Sequence, residues 1–289
     1  MRRLLASAML ASLAGCGGAQ ADGFVAMLDP DYRAELIGGR GDGFTAPDGL
    51  LWHDGALYMA DEGGSAVRVW RPGAGAVTLA DARAGFQSPE DLVSDAAGNL
   101  YVTDDDAGGV RRTDPRGRTL LLAGAIASTE ALAITRDGTL LVGDGRGGRV
   151  LAVAPGGGVT VLLGANAGIA KPESLAFDGR GNLYIADNQA DVLYLLSADG
   201  RLHRPIAGRR GFSPESIVHA GGALYITDSR HGALYRYTPE GGLAAIAVFG
   251  GDLGNVQGVT ADPAGNLYLS VQADLDAGRG YVLRLTRRP

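Results

Sequence analysis

One segment of about 40 residues recurs six times, and this repetition constrains the fold more than any other feature of the sequence. The copies begin at Pro47, Pro89, Thr129, Pro172, Pro214 and Val256, at spacings of 42, 40, 43, 42 and 42 residues. Each copy continues through a turn into a second apolar stretch, such as GALYMAD or GNLYIAD, and further strand-like stretches follow. Turns that contain Gly-Asn, Asp-Gly or Pro-Glu-Gly suit tight hairpins between antiparallel strands. Four short strands in each repeat predict the blade of a β-propeller.

The two ends of the repeat array predict how the ring closes. Only three strand-like stretches follow Val256, so the sixth blade lacks its outer strand. Residues 32–43, YRAELIGGRGDG, match the outer strand of the fourth repeat, RLHRPIAGRRG, which begins at Arg201. We therefore expect an all-β, six-bladed propeller of four-stranded antiparallel blades over residues 32–289. The N-terminal strand would join the last blade and cover its exposed edge.

The segment before the repeats is typical of a bacterial lipoprotein. Arg2 and Arg3 precede an apolar run from Leu4 to Leu13, which is the pattern of a secretory signal and is too short to span a bilayer. The run ends in LAGC, which resembles the lipobox where lipoproteins are cleaved and the cysteine is acylated. We expect residues 1–15 to be the signal peptide, Cys16 the lipidated residue and 16–31 a short tether. The resemblance implies a cell-envelope protein, anchored by lipid to the outer membrane if the host is Gram-negative.

Charge and cysteine content exclude several classes of partner and site. The formal charge is −6, and it becomes −8 when Arg2 and Arg3 leave with the signal (24 basic against 32 acidic residues). An acidic body argues against nucleic acid and against contact with anionic lipid beyond the anchor itself. Cys16 is the only cysteine, so we expect neither a disulfide nor a thiolate metal site. Lys171 is the only lysine, which we attribute to a GC-rich genome.

The repeat unit resembles known propeller families. A proline and an acidic residue open most copies, and L-Y-[IV]-[AT]-D closes the second strand-like stretch of several. This unit resembles the NHL repeat and the repeats of the gluconolactonase/regucalcin, paraoxonase and strictosidine-synthase-like propellers. In the gluconolactonase-like families the metal ligands lie where each innermost strand begins, typically a Glu in the first blade and Asn and Asp in later ones. The matching positions here are Asp48, Glu90, Glu130, Glu173, Glu215 and Gln257, none of which is asparagine.

Repetition should bring these six residues, the axial ring, to one mouth of the central channel. Five carboxylates at close range cannot all ionise unaided, because like charge raises their pKa values. A hard cation, bound protons or nearby arginines would offset them. The ring offers only oxygen ligands, which favours calcium over zinc or copper. The alternative is structural, with each acid accepting backbone N–H groups of the next blade.

Two other polar features lie on the same face. A second acid ends the second strand of five repeats and is expected to cap a turn by accepting backbone N–H groups; these acids are Asp61, Asp104, Asp144, Asp187 and Asp228. His231 is the one histidine expected on this face, and it is a candidate general base.

Two functions fit these observations. The first is a gluconolactonase-like, metal-dependent hydrolase of a lactone or ester, in which a divalent cation polarises the carbonyl and activates water. The second is a non-catalytic NHL-type propeller that binds a protein, peptide or cationic ligand on the same acidic face. A bound cation with an adjacent pocket would distinguish them, because a scaffold needs neither.

Overall fold

The computed structural model describes residues 9–11, 23–275 and 277–288. Three strands precede the first repeat: β1 (Met9–Ala11), β2 (Gly23–Met27) and β3 (Tyr32–Gly39). The first three repeats contain β4 (Pro47–His53), β5 (Ala56–Asp61), β6 (Ala66–Arg71), β7 (Gly75–Ala80), β8 (Pro89–Ser94), β9 (Leu100–Asp104), β10 (Gly109–Thr113), β11 (Thr119–Gly124), β12 (Thr129–Ile134), β13 (Leu140–Asp144), β14 (Arg149–Val153) and β15 (Val159–Leu163). The last three contain β16 (Pro172–Phe177), β17 (Leu183–Asp187), β18 (Val192–Leu196), β19 (Leu202–Ile206), β20 (Ile217–Ala220), β21 (Ala223–Asp228), β22 (Ala233–Thr238), β23 (Gly242–Gly251), β24 (Val256–Ala261), β25 (Leu267–Asp274) and β26 (Arg279–Arg287).

Helical structure in these ranges is confined to four 3-10 turns, at Arg40–Asp42, Glu62–Gly64, Ala82–Ala84 and Ala165–Ala167. Over the same residues, no helix has the length and apolar character needed to cross a membrane.

The six repeats form the six blades of a β-propeller. Within each repeat the strands pair antiparallel in chain order, with β4, β8, β12, β16, β20 and β24 innermost. Each innermost strand packs against the innermost strand of the next blade, and β24 packs against β4. The ring is therefore closed around a central channel, as the repeat spacing predicts.

The sixth blade is completed from the N-terminal side of the chain. Strand β3 pairs antiparallel with β26, from Tyr32 opposite Arg287 to Gly39 opposite Tyr281. The hydroxyl groups of Tyr32 and Tyr225 lie 3.2 Å apart and join this strand to the fifth blade. The predicted closure by the N-terminal strand is confirmed.

The fifth blade carries a strand that the sequence did not predict. Strand β2, within the segment expected to be a tether, pairs antiparallel with the outer strand β23, and β1 pairs with β2 in turn. Strand β23 is ten residues long, so it offers a long edge for pairing. Val25 of β2 is 1% exposed and belongs to the apolar cluster between the fifth and sixth blades. Burial of this side chain explains why the segment is a strand.

The hydrophobic core lies between neighbouring blades. Every residue of the second strands β17 and β21 is buried. One apolar cluster joins Leu193 of the fourth blade to Leu224 and Ile226 of the fifth. Since each blade is covered on both faces, its second strand is largely apolar, and acidic side chains lie where these strands end, as in Asp187 and Asp228.

Candidate functional site

The axial ring surrounds one cavity of about 250 Å³ at a mouth of the channel. All six predicted residues line it: Asp48, Glu90, Glu130, Glu173, Glu215 and Gln257. The same wall contains Gly49, Asp91, Asp105, Lys171, Ser174 and Ser216. The structure thus brings together every residue that the repeat assigns to the ring, and it adds further acids and one cation to the lining.

Hydroxyl groups on the second strands hold the ring backbone in place. Each of three such groups donates a hydrogen bond to the carbonyl of a ring residue in the next blade: Thr103 to Glu130, Thr227 to Gln257 and Ser270 to Asp48. These hydrogen bonds cross the interface between neighbouring blades, so the positions of the ring residues depend on how the blades pack.

In three blades the residue after the ring position also bridges two blades. The side chains of Asp91, Ser174 and Ser216 accept the backbone N–H groups of the next innermost strand, over 2.9, 3.1 and 3.2 Å respectively. Where this position is Gly49, a Cβ atom would lie 2.4 Å from the carbonyl oxygen of Glu90. The innermost strands therefore approach too closely there for any side chain.

One side of the ring is neutralised by a lysine. The Nζ atom of Lys171 lies 2.7 Å from Oε1 of Glu173 and 3.3 Å from Oε1 of Glu130. Burial disfavours the charged form of Lys171 and by itself would lower its pKa. The attraction of the Glu173 and Glu130 carboxylates is stronger, so the pKa of Lys171 is raised. Composition alone gave no reason to place this residue in the site.

The first two blades place three carboxylates in a group. One carboxylate oxygen from each of Asp48, Glu62 and Glu90 lies within 4.8 Å of the other two. The amide Nε2 of Gln272 donates to Asp48 Oδ2 over 3.2 Å and to Glu62 Oε2 over 2.7 Å. The hydroxyl of Ser88 donates to Glu62 over 3.1 Å and to Glu90 over 3.2 Å. Within the described part of the chain, the side chains that donate hydrogen bonds to this group are neutral, an amide and a hydroxyl.

Burial and mutual repulsion raise the pKa values of three ring acids, Asp48, Glu90 and Glu173. The pKa of Asp48 is well above its usual range, first through burial and then through the charges of Glu215 and Glu62. The same causes act on Glu90, where Asp48 is the strongest charged neighbour. Burial, followed by Glu215 and Glu130, raises the pKa of Glu173 to about 8, although Lys171 opposes the shift. The ring therefore favours either bound protons or a cation.

Asp91 is one of the additional acids that line the cavity. Burial raises its pKa to about 7, although the backbone N–H groups of Leu132 and Leu92 donate to it and oppose that rise. Its carboxylate thus serves as a bridge between blades while it faces an acidic cavity.

Sequence reasoning did not assign a second set of six residues to the site. Five of them directly follow the end of a second strand, and the sixth, Gln272, occupies the matching position within β25: Glu62, Asp105, Gly145, Asn188, Ser229 and Gln272. Asn188 Nδ2 donates to Glu215 Oε2 over 3.1 Å, and the hydroxyl of Ser229 donates to the same oxygen. A Cβ atom on Gly145 would lie 2.7 Å from Oε1 of Glu130. The signal was available, because these residues follow the repeated acid of each blade, but their identities differ from blade to blade.

The repeated acids are turn caps, as predicted. All five are fully buried, and each accepts backbone N–H groups from nearby loops. Asp187, for example, accepts the N–H groups of Ala170 and Lys171 over 2.7 and 3.1 Å. This contact fixes the loop that carries Lys171 into the cavity.

His231 is not among the residues that line the cavity. Its Nδ1 lies 2.9 Å from Oδ1 of the buried Asp228, and its side chain is 39% exposed. None of these contacts joins His231 to the ring, so its role as a general base stays a prediction. Cys16 lies outside the described residues.

Comparisons with known proteins support the fold. No protein-family model and no curated protein sequence matches the chain. Among solved structures, a gluconolactonase from Xanthomonas campestris is 20% identical, with a TM-score of 0.69 over 92% of this chain and 90% of that one. The calcium-binding protein regucalcin from Agrobacterium tumefaciens is 16% identical, with a TM-score of 0.65 over 88% and 96%. Virginiamycin B lyase from Staphylococcus aureus is 12% identical, with a TM-score of 0.66 over 89% and 100%.

These proteins share the six-bladed propeller. At such low identity the likeness establishes the architecture and leaves the chemistry to the residues of the cavity. Those residues are carboxylates, amides, hydroxyls and one ammonium group, with neither histidine nor cysteine in the lining.

Proposed function

We propose that the axial cavity binds one divalent cation, calcium by preference, at Asp48, Glu62 and Glu90. The observation that carries this proposal is the approach of three carboxylate oxygens to within 4.8 Å of one another. Calcium binds oxygen at 2.3–2.6 Å, so two of its ligands lie at most about 5 Å apart. Hard oxygen donors without histidine or cysteine favour calcium over zinc or copper.

The distribution of charge also favours a cation at the Asp48, Glu62 and Glu90 group. Lys171 already pairs with Glu130 and Glu173 and offsets one of their two charges, whereas hydrogen bonds to the Asp48, Glu62 and Glu90 group come from the neutral side chains of Gln272 and Ser88. A buried charge is stable only when it is paired. A divalent cation would supply the missing charge and displace the protons that the raised pKa values imply.

We also propose that the cavity hydrolyses a lactone or ester, in keeping with its gluconolactonase-like fold. Calcium bound there would polarise a substrate carbonyl and lower the pKa of a bound water. Glu215 is the ring carboxylate assigned to accept a proton, since Glu130 and Glu173 are paired with Lys171. Asn188 and Ser229 orient Glu215 through hydrogen bonds to its Oε2.

A calcium titration tests the cation site. Calcium should raise the melting temperature of the wild-type protein by mass action, and Glu90→Gln should weaken the effect at least tenfold in calcium concentration. Glu240→Gln is the matched control, because it makes the same change at an exposed position away from the ring. Equal calcium responses in the three proteins would reject this site.

Lactone hydrolysis tests the catalytic part. With gluconolactone as the probe, Glu215→Gln should lose at least 100-fold in kcat/KM, the usual scale for removal of a general base, while it keeps the calcium response. His231→Ala should keep both. If the wild type binds calcium but hydrolyses neither lactones nor aryl esters, the non-catalytic binding propeller is the better description.

We propose that the protein acts from the cell envelope through a lipid anchor at Cys16. The support is the sequence LAGC after an apolar run. Labelled palmitate should enter the wild-type protein, and Cys16→Ala should lose the label and membrane retention. A labelled Cys16→Ala protein would reject the anchor.

A further inference from the structure

Lys171 is the only lysine of the chain, and it lies inside the most acidic cavity. It precedes the ring residue Glu173 by two positions, at the end of the loop before β16. The backbone N–H of Lys171 donates to Asp187 Oδ1 over 3.1 Å. The cap formed by Asp187 therefore sets the direction of the lysine, independently of its side chain.

The ammonium group occupies the position that a second metal ion would need. Its Nζ atom contacts both Glu173 and Glu130, at 2.7 and 3.3 Å. Among the residues that line the cavity, Lys171 is the only cationic side chain. A second divalent ion would have to displace this tethered cation from its two carboxylates and accept its repulsion in a confined, partly buried space.

We infer that Lys171 is a built-in counter-ion that limits the axial ring to one divalent cation and reserves the Asp48, Glu62 and Glu90 side for it. This inference rests on the proposed cation site. It adds an explanation of how many ions each chain binds. Lys171 thus acts as a specificity-determining residue, because it makes two of the five ring carboxylates, Glu130 and Glu173, unavailable to metal. A ring with five carboxylates and no lysine would be expected to take two ions.

The test is the number of calcium ions bound per chain, measured by titration calorimetry and by metal analysis after dialysis. The wild type should bind one ion. Lys171→Gln removes the charge and should bind two, the second at Glu130 and Glu173. Lys171→Arg is the matched control, since it keeps a cation in the loop and should still bind one.

The outcomes separate this inference from the proposed function. One ion in the wild type and one in Lys171→Gln, with unchanged affinity, would overturn the counter-ion role and leave the cation site intact. No calcium in the wild type and one ion in Lys171→Gln would overturn the proposed cation site, because Lys171 would then neutralise the whole ring. No binding in any variant would overturn both. Circular dichroism and the melting temperature of each variant show whether it is folded, and a Lys171→Met variant replaces Lys171→Gln if that protein is unstable.

Discussion

The clearest energetic consequence of the acidic cavity concerns Asp91. Burial raises the pKa of its carboxyl from 3.8 to about 7, so the folded protein holds a proton that the unfolded chain releases. Folded protein then binds more protons than unfolded protein between these two values, and the free energy of unfolding falls as the pH rises through that window. A pKa change of this size corresponds to about 4 kcal/mol in total. Between about pH 5 and pH 8 we expect roughly 2 kcal/mol of that loss, after allowance for water in the cavity.

Asp91→Asn removes this titration. The asparagine can accept from the N–H of Leu132 or of Leu92, but not from both as Asp91 does, so the variant carries a constant cost of about 1 kcal/mol. That cost is the same at every pH, so it cancels when the pH dependence of the free energy of unfolding is compared between the two proteins. Urea unfolding should be measured with a calcium chelator at several pH values from about 5 to 8. Over this range the free energy of unfolding should fall by about 2 kcal/mol more in the wild type than in Asp91→Asn. Parallel pH profiles would refute the claim that Asp91 is protonated in the folded protein.

Two further predictions concern the N-terminal strands. Deletion of the mature N-terminus through Ile37 removes most of β3 and exposes β26, so the product should aggregate or unfold at room temperature; a stable monomer in size-exclusion chromatography would contradict this. Val25→Ala should lower the free energy of unfolding by about 2 kcal/mol, because Val25 is buried. A change below about 0.5 kcal/mol, the size usual for exposed residues, would show that β2 is only a tether.

Repetition explains why the ring was predictable. Asp48, Glu90 and Glu173 occupy equivalent positions of their blades, and symmetry alone brings equivalent positions to one mouth of the channel. The strand β3 was predictable for a related reason, since it resembles the outer strand of the fourth repeat. In both cases the inference came from comparing the repeats with one another.

The features that give the ring its chemistry depart from the repeat. Glu62, Gln272 and Lys171 differ in type from the residues at equivalent positions in other blades, so the repeat marks their positions but not their chemistry. Their importance lies in distances across the channel, such as the 2.7 Å between Gln272 Nε2 and Glu62 Oε2. Strand β2 was missed because it is an additional strand on the fifth blade, with no counterpart in the other five blades.

The most direct test of the cation site is a crystal structure of the mature protein grown with calcium and again with a lanthanide, whose anomalous scattering locates the ion. We expect one peak, bound by carboxylate oxygens of Asp48, Glu62 and Glu90, and continued contact of Lys171 with Glu173. A peak bound instead by Glu130 and Glu173, or a cavity that holds only water at saturating calcium, would contradict the account.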